Sequence, residues 1–351
     1  MKKYQKLLSA AMAAAMTVSL TACGSNGSGA AASTGNASDT GTNTQADASD
    51  AGNSGKESFT IGICQQLEHP ALDEATEGFQ AALTELLGAD NVTFDLQNAQ
   101  GEQANCATIC NGFVSGNYDL ILANATTALQ CAAAATSTIP VLGTSVTDYA
   151  TALDIDDWTG ATGTNVSGTA DLAPIDQQED MLLELFPDAE TVGILYCSAE
   201  PNSSFQAQQF EQYLEEDGIA YQEYTVADSN DIASVVQSAV SEVDVIYIPT
   251  DNTMAGNTES INNIALPAGV PIIAGEAGIC SGCGVATLSI SYYDIGYTAG
   301  EMAYDVLVNG ADISTMEVKY ADSVTKQYNA DICSELGITV PDDYTAIETE
   351  E

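Results

Sequence analysis

The chain has 351 residues, with six lysines, no arginine, one histidine and 50 acidic residues, for a formal net charge of −44. Phosphate backbones and anionic lipid headgroups are held by clustered lysine and arginine, so nucleic-acid partners and electrostatic adhesion to lipid are excluded, and so is a bidentate guanidinium clamp on any anion. At 45% hydrophobic and 16% charged residues the composition is nonetheless that of a folded protein, and its length suits about two domains.

Residues 1–6 carry three lysines, residues 7–20 are an uncharged apolar run of fourteen, and Thr21-Ala22-Cys23 follows. This is the layout of a secretory signal, and the run is shorter than the roughly 20 residues a membrane-spanning helix needs. Leu20-Thr21-Ala22-Cys23 resembles the lipobox of bacterial lipoproteins, which implies removal of residues 1–22, diacylation of Cys23 and anchorage outside the cell membrane. Only Lys56, Lys319 and Lys326 then remain against all the acids. Residues 24–57 contain no aromatic residue and no Val, Ile or Leu. They read as a flexible tether with a root-mean-square span of roughly 30 Å.

From residue 59 strands and helices alternate. Strand patterns over 59–64, 92–96, 120–123 and 141–146 are interleaved with helical patterns over 71–87, 104–114 and 126–135. A Gly- and Thr-rich passage, 159–169, separates this unit from a second. There helices are expected over 175–186, 203–216, 232–240 and 253–265, and strands over 192–196, 221–226, 245–249 and 271–274. A last strand, 285–291, and helix, 293–308, complete the series. Continuous apolar strands alternating with helices predict parallel sheets covered on both faces.

Open parallel sheets bind ligands beyond the carboxyl ends of their strands, so candidate residues are sought there. His69, the only histidine, follows the first strand; it reads either as a capping or packing residue at a loop-to-helix junction or as a polar or stacking contact to a ligand. Asp251 and Glu276 each end an apolar strand and are expected to neutralise an ammonium group. Thr126, Thr144 and Ser145, near strand ends and helix N-termini of the first unit, are expected to hold a carboxylate through hydroxyls and backbone N–H groups. A zwitterion fits both halves.

Catalytic patterns are sparse. There is no Gly-x-Ser-x-Gly elbow, phosphate-binding Gly-rich loop with its lysine, or His-Glu-x-x-His pair, although carboxylate-pair hydrolysis remains compatible with so many acids. Of the eight cysteines after Cys23, Cys280 and Cys283 in Gly278-Ile-Cys-Ser-Gly-Cys-Gly284 are expected to close a turn by a local disulfide. Cys106 and Cys110 share a helix face, and Cys64, Cys131 and Cys197 lie in apolar runs where they pack as small hydrophobes. Neither a metal site nor a cofactor is expected.

The loops, taken together, resemble the substrate-binding lipoproteins of ABC transporters, in the branch that binds tryptophan and other aromatic amino acids. The similar segments are Ile61-Gly62-Ile63 with Glu68-His69-Pro70-Ala71-Leu72-Asp73, then Asn98-Ala-Gln-Gly101, Asp119-Leu-Ile-Leu-Ala-Asn-Ala-Thr126, Asn165-Val-Ser-Gly-Thr-Ala-Asp-Leu172, Tyr247-Ile-Pro-Thr-Asp-Asn252 and Ala274-Gly-Glu-Ala277. They run in order between about residues 59 and 341. The resemblance implies an α/β, type I periplasmic-binding-protein fold of two doubly wound lobes around a ligand cleft. It also implies a non-enzymatic role, delivering an aromatic amino acid (tryptophan, phenylalanine or tyrosine) to an ABC permease.

By the same resemblance the carboxylate falls to Thr126, Thr144 and Ser145, the ammonium to Asp251 and Glu276, and the side chain to Glu68, His69, Asp171, Asn202 and Ser203; Asn124 and Asn252 complete the set. The expected lobes are 58–148 with 279–312, and 149–278 with 313–351, in a monomer. Competing readings are a binding protein for a sugar, nucleoside or short peptide, an extracellular hydrolase, and a sensor or structural lipoprotein coupled to a receptor.

Overall fold

The computed structural model describes residues 58–347; the signal segment 1–22, the lipidation site Cys23, the tether 24–57 and the last four residues lie outside the described residues. The first lobe begins β1 (Phe59–Gln65), α1 (Pro70–Leu87), β2 (Val92–Asn98), α2 (Gln103–Ser115), β3 (Leu120–Asn124), α3 (Thr126–Ala135), β4 (Val141–Val146), α4 (Tyr149–Ala152) and β5 (Val166–Ala170). The second continues α5 (Ile175–Leu185), β6 (Thr191–Cys197), α6 (Pro201–Asp217), β7 (Ala220–Val226), α7 (Ile232–Ala239), β8 (Val245–Ile248), α8 (Asn252–Ala255), α9 (Thr258–Ala268), β9 (Ile272–Ala274), α10 (Ala277–Cys283) and β10 (Ala286–Ser289). The chain then returns to the first lobe as α11 (Tyr292–Leu307) and β11 (Lys319–Tyr320), and ends in the second as β12 (Thr325–Tyr328), α12 (Ala330–Leu336) and β13 (Thr345–Ala346).

Two sheets result among the described residues, one of six strands ordered β11-β5-β4-β3-β1-β2 and one of seven ordered β13-β12-β10-β9-β8-β6-β7. All pairings are parallel except β10 with β12. The central strands β3, β4, β8, β9 and β10 are buried at every position, as a sheet covered on both faces requires. The expected α/β alternation is therefore present, with the helix over 253–265 broken at Gly256 into α8 and α9.

The lobe crossings fall later than expected. The Gly- and Thr-rich passage contains β5, which pairs with β4 in the first sheet, and β10, expected in the first lobe, pairs with β9 in the second. The crossings thus lie near residues 171–174, 290–291 and 321–324 rather than after 148, 278 and 312. A strand belongs to the sheet that hydrogen-bonds it, and alternation along a sequence carries no record of that partner. Gly168 is needed inside β5: at φ 145° it lies so close to Gly143 that a Cβ would meet the Gly143 carbonyl and the Tyr149 hydroxyl.

Cys280 and Cys283 are free thiols, not a disulfide-closed turn. Glu276 caps this segment as the helix α10, and residues three apart on a helix share a face; here that face enters the second lobe's apolar core. Cys64, Cys131 and Cys197 are buried as expected.

The first lobe owes its integrity to helix α11, which returns from the second lobe to pack along α1. A Cβ on Gly78 would strike the Tyr293 carbonyl, and one on Gly296 the Ala75 carbonyl, so the two backbones touch through glycine. Gly296→Ala is therefore expected to destabilise the protein by about 1–3 kcal/mol, read as a shift of the urea midpoint; an unchanged midpoint would show that the helices can separate without cost.

Candidate functional site

Between the sheets, at the carboxyl ends of their strands, the lobes enclose a small cavity of about 10 Å³, room for about one water molecule. The first lobe contributes His69 and Leu72 after β1, Ser145 from the end of β4 and Asp171 after β5. The second contributes Asn202 after β6, Thr250, Asp251, Asn252 and Ala255 after β8, and Glu276 after β9; Tyr292 enters from the first turn of α11. Outside it lies a wider space of about 380 Å³ between the lobe rims, bordered by Gln66, Leu67 and Gln103 on one side and Ala199, Glu200 and Asn257 on the other.

The lobes meet directly. His69 Nε2 lies 3.2 Å from Asn252 Oδ1. Asn252 Nδ2 donates to Glu200 Oε2 at 2.7 Å, which fixes the amide so that its oxygen faces the histidine. His69 Nε2 therefore carries the hydrogen and Nδ1 carries the lone pair. That Nδ1 lies buried without a partner, and burial lowers the imidazole pKa, keeping the ring neutral.

Asp171 is the acid with free capacity. Its Oδ2 accepts from the Tyr292 hydroxyl at 3.1 Å and Thr147 bonds the same carboxylate, but Oδ1 is buried and unpartnered. Burial raises its pKa to about 6. Asp251 and Glu276, the expected ammonium acceptors, line the cavity but are committed to backbone. Asp251 caps α8, accepting from Met254 N at 2.8 Å and from Cys197 N at 2.6 Å. Glu276 caps α10, accepting from Gly278 N at 2.6 Å and Ile279 N at 2.5 Å. Burial, joined at Asp251 by the neighbouring Glu200, raises both to about 7.

The remaining expected residues divide. Ser145 reaches the cavity with its hydroxyl buried and unpartnered. It does so because β4 shifts register between Gly143 and Val146, with Ser145 at φ 55°; Ala125, beside it at φ 89°, donates its N–H to the Thr144 carbonyl. Positive φ in non-glycine residues costs of order 1–3 kcal/mol each and collects at ligand sites. Asn202 also faces the cavity, its Nδ2 bonded to Glu200, Ser203 and the Thr250 carbonyl and its Oδ1 unpartnered.

Thr126, Thr144 and Ser203 are buried but do not line the cavity. Thr144 takes the Thr169 hydroxyl bond inside the first sheet, and Ser203 supports Asp251. Asn124 braces β3 to α1 through the Leu72 carbonyl and Thr76. Glu68 is exposed and contributes nothing to the cavity wall, because the turn into α1 sends His69 inward instead.

Sequence reasoning passed over Glu200, Tyr292, Leu72 and Thr250. Glu200 is the hub of the second lobe's rim: it accepts from the Asn252 and Thr253 amides at 3.1 and 2.9 Å, from the Thr253 hydroxyl at 2.7 Å and from both Asn202 and Asn252 side chains. Its signal was a position directly after a central strand, the criterion that selected Asp251. Tyr292 follows β10 of the second sheet by the same rule.

The fold and this cleft define a two-lobed binding protein of the periplasmic-binding type I class. The sequence model for ABC transporter substrate binding proteins matches residues 60–350, and the chain belongs to that family. It is 33% identical over 334 residues, 94% of this chain and 92% of the relative, to a tyrosine-binding protein of Clostridioides difficile strain R20291. A Streptococcus pneumoniae ABC domain solved with L-Trp is 33% identical and superposes with a TM-score of 0.78, covering 81% of this chain and 96% of that one. The ligand-free, open structure of a substrate binding protein with adhesive properties from Clostridium difficile is 35% identical, yet its TM-score is 0.64 over 83% of this chain and 100% of that one. No helix among the described residues is long and apolar enough to cross a membrane, and no cluster of metal-ligating side chains occurs among them.

The buried acids set a pH dependence. Asp171, Asp251 and Glu276 have folded pKa values of about 6, 7 and 7, above the ~3.9 and ~4.3 of unfolded chains. Between those limits the folded protein holds more protons, so its stability falls as pH rises from about 4 to about 7. His69, lowered by burial, acts oppositely but is one group against three. The ligand-free melting temperature is expected to decline from pH 5 to pH 7.5; a rise across that interval would contradict the assignment.

Proposed function

We propose that this protein captures an aromatic L-amino acid (tyrosine, tryptophan or phenylalanine) between its lobes and delivers it to an ABC permease. It acts as a monomer on the outer side of the membrane, held by lipidated Cys23. The carrying observation is a set of four buried polar atoms without partners, His69 Nδ1, Ser145 Oγ, Asp171 Oδ1 and Asn202 Oδ1, around one enclosed cavity. Leaving such an atom unpaired costs about 1–3 kcal/mol, and a zwitterion supplies what they lack.

In this reading the ammonium donates to Asp171 Oδ1 and Asn202 Oδ1, shifting the cation role from Asp251 and Glu276. Its proximity would also draw the Asp171 pKa back down. The carboxylate accepts from the Ser145 hydroxyl, since no guanidinium exists to do so. The side chain packs against Leu72, Ala255 and the Tyr292 ring, with the His69 lone pair available to an indole N–H or phenol O–H. The cavity enlarges by opening of the lobes, which hydrogen-bond across it from His69 to Asn252 and from Tyr292 to Thr250. The names of the tyrosine-binding relative and of the L-Trp complex support the ligand class. Hydrolysis is disfavoured because the carboxylates of Asp251 and Glu276 are occupied by backbone amides.

Calorimetry of residues 58–351 against the twenty amino acids is expected to show saturable binding of one or more aromatic members; no binding by any would overturn the proposal. Asp171→Asn should weaken that binding by about 2–5 kcal/mol, the usual loss when a buried charge loses its partner, while Glu68→Gln leaves it unchanged. Equal affinities for wild type and Asp171→Asn would remove Asp171 from the ammonium site.

A further inference from the structure

The first lobe holds four thiols that the cleft does not use. Cys64 lies on β1, Cys106 and Cys110 one turn apart on α2, and Cys131 on α3, all within one apolar cluster. The Cys106 thiol hydrogen-bonds those of both Cys131 and Cys64, and Cys64 also bonds Cys110. Cys131 Sγ donates to the Gln103 carbonyl at 3.7 Å, one helical turn before Cys106. Cys64, Cys106 and Cys110 are sealed, whereas Cys131 is 8% exposed and borders a surface groove of about 450 Å³ between α2 and α3, with Gln103, Ala107 and Ala134.

We propose that Cys106 and Cys131 are a disulfide site, closed by exchange with a low-molecular-weight disulfide that enters through this groove and stapling α2 to α3. Access and geometry assign the roles. Cys131, the thiol at the groove, loses its proton and attacks one sulfur of the small disulfide, giving a mixed disulfide and releasing one small thiolate. Cys106 then attacks Cys131 Sγ, forming the Cys106–Cys131 bond and releasing the second small thiolate. The two protons lost by the protein go to the two released thiolates; the protein is oxidised by two electrons and the small disulfide is reduced by two. The hydrogen bond with Cys106, and burial, raise the Cys131 pKa, so the first attack quickens with rising pH. A secreted chain meets the oxidising surroundings in which such bonds persist.

The test uses the full chain carrying Cys23→Ser, so that only the eight remaining thiols are counted, incubated with excess cystine. Unreacted thiols are alkylated in denaturant and the chain is cut before aspartates; cleavage at Asp119 separates Cys106 from Cys131. The expected result is the loss of two alkylatable thiols, a cross-linked peptide pair joined through Cys106 and Cys131, and a melting temperature several degrees higher. Cys110→Ser should retain the bridge, and Cys106→Ser should leave a single cysteinyl adduct on Cys131. Eight alkylated thiols, a bridge through Cys64 or Cys110, or an adduct on Cys131 of the intact chain that never resolves would each overturn the proposal. Should Cys106→Ser fail to fold, the intact chain and Cys110→Ser still decide the matter.

Discussion

Everything at the cleft follows from the want of a cation. The chain has no arginine, and Lys326, among its few lysines, is spent on the surface of the second lobe with Glu184 and Asp343. Buried carboxylates ordinarily need a counter-charge. Here Asp251 and Glu276 are carried instead by the N–H groups at the starts of α8 and α10, and Glu200 by amides and a hydroxyl at the start of α8. Helix N-termini take over the work of guanidinium groups. Because those helices begin where β8 and β9 end, the acids are fixed at the sheet edge facing the other lobe.

That substitution orders the site. Glu200 orients Asn252, Asn252 receives His69 across the cleft, and the direction of that bond leaves the His69 Nδ1 lone pair facing the cavity. On the opposing lobe, the register shift in β4 turns Ser145 inward, and Asp171 emerges as β5 ends. The acid left with an open oxygen is the one bonded to Tyr292 and Thr147, hydroxyls that do not saturate it as two amides saturate a cap.

The alternation of strands and helices was legible because buried parallel strands are continuously apolar and their helices are not. The placement of β5 and β10 was not, since it depends on the partner strand, and Gly168 in β5 reads as loop composition until its contact with Gly143 is seen. Strand-end loops marked His69, Ser145, Asn202 and Asn252, which line the cavity. They did not separate an acid that caps a helix from one with an open oxygen at the cavity: Asp251 and Asp171 look alike in sequence and differ in how many N–H groups reach them. Glu200 was hidden among fifty acids for the same reason, and Glu68 stood out only through its neighbour His69.

In the proposed reading, the unpaired atoms couple binding to closure. His69 Nδ1, Ser145 Oγ, Asp171 Oδ1 and Asn202 Oδ1 are buried around the cavity between the lobes, at about 1–3 kcal/mol for each atom left without a partner. Opposing that cost are the His69 to Asn252 bond and the contact of Leu67 with Gly256, where a Cβ would meet the Leu67 side chain. A ligand that pairs the four atoms removes a cost present only in the closed form, and that difference between open and closed affinity shifts the population. The same accounting favours a zwitterion over an apolar molecule of equal size: filling the cavity with carbon would leave every one of those atoms still unpaired, and the closed form no better than before.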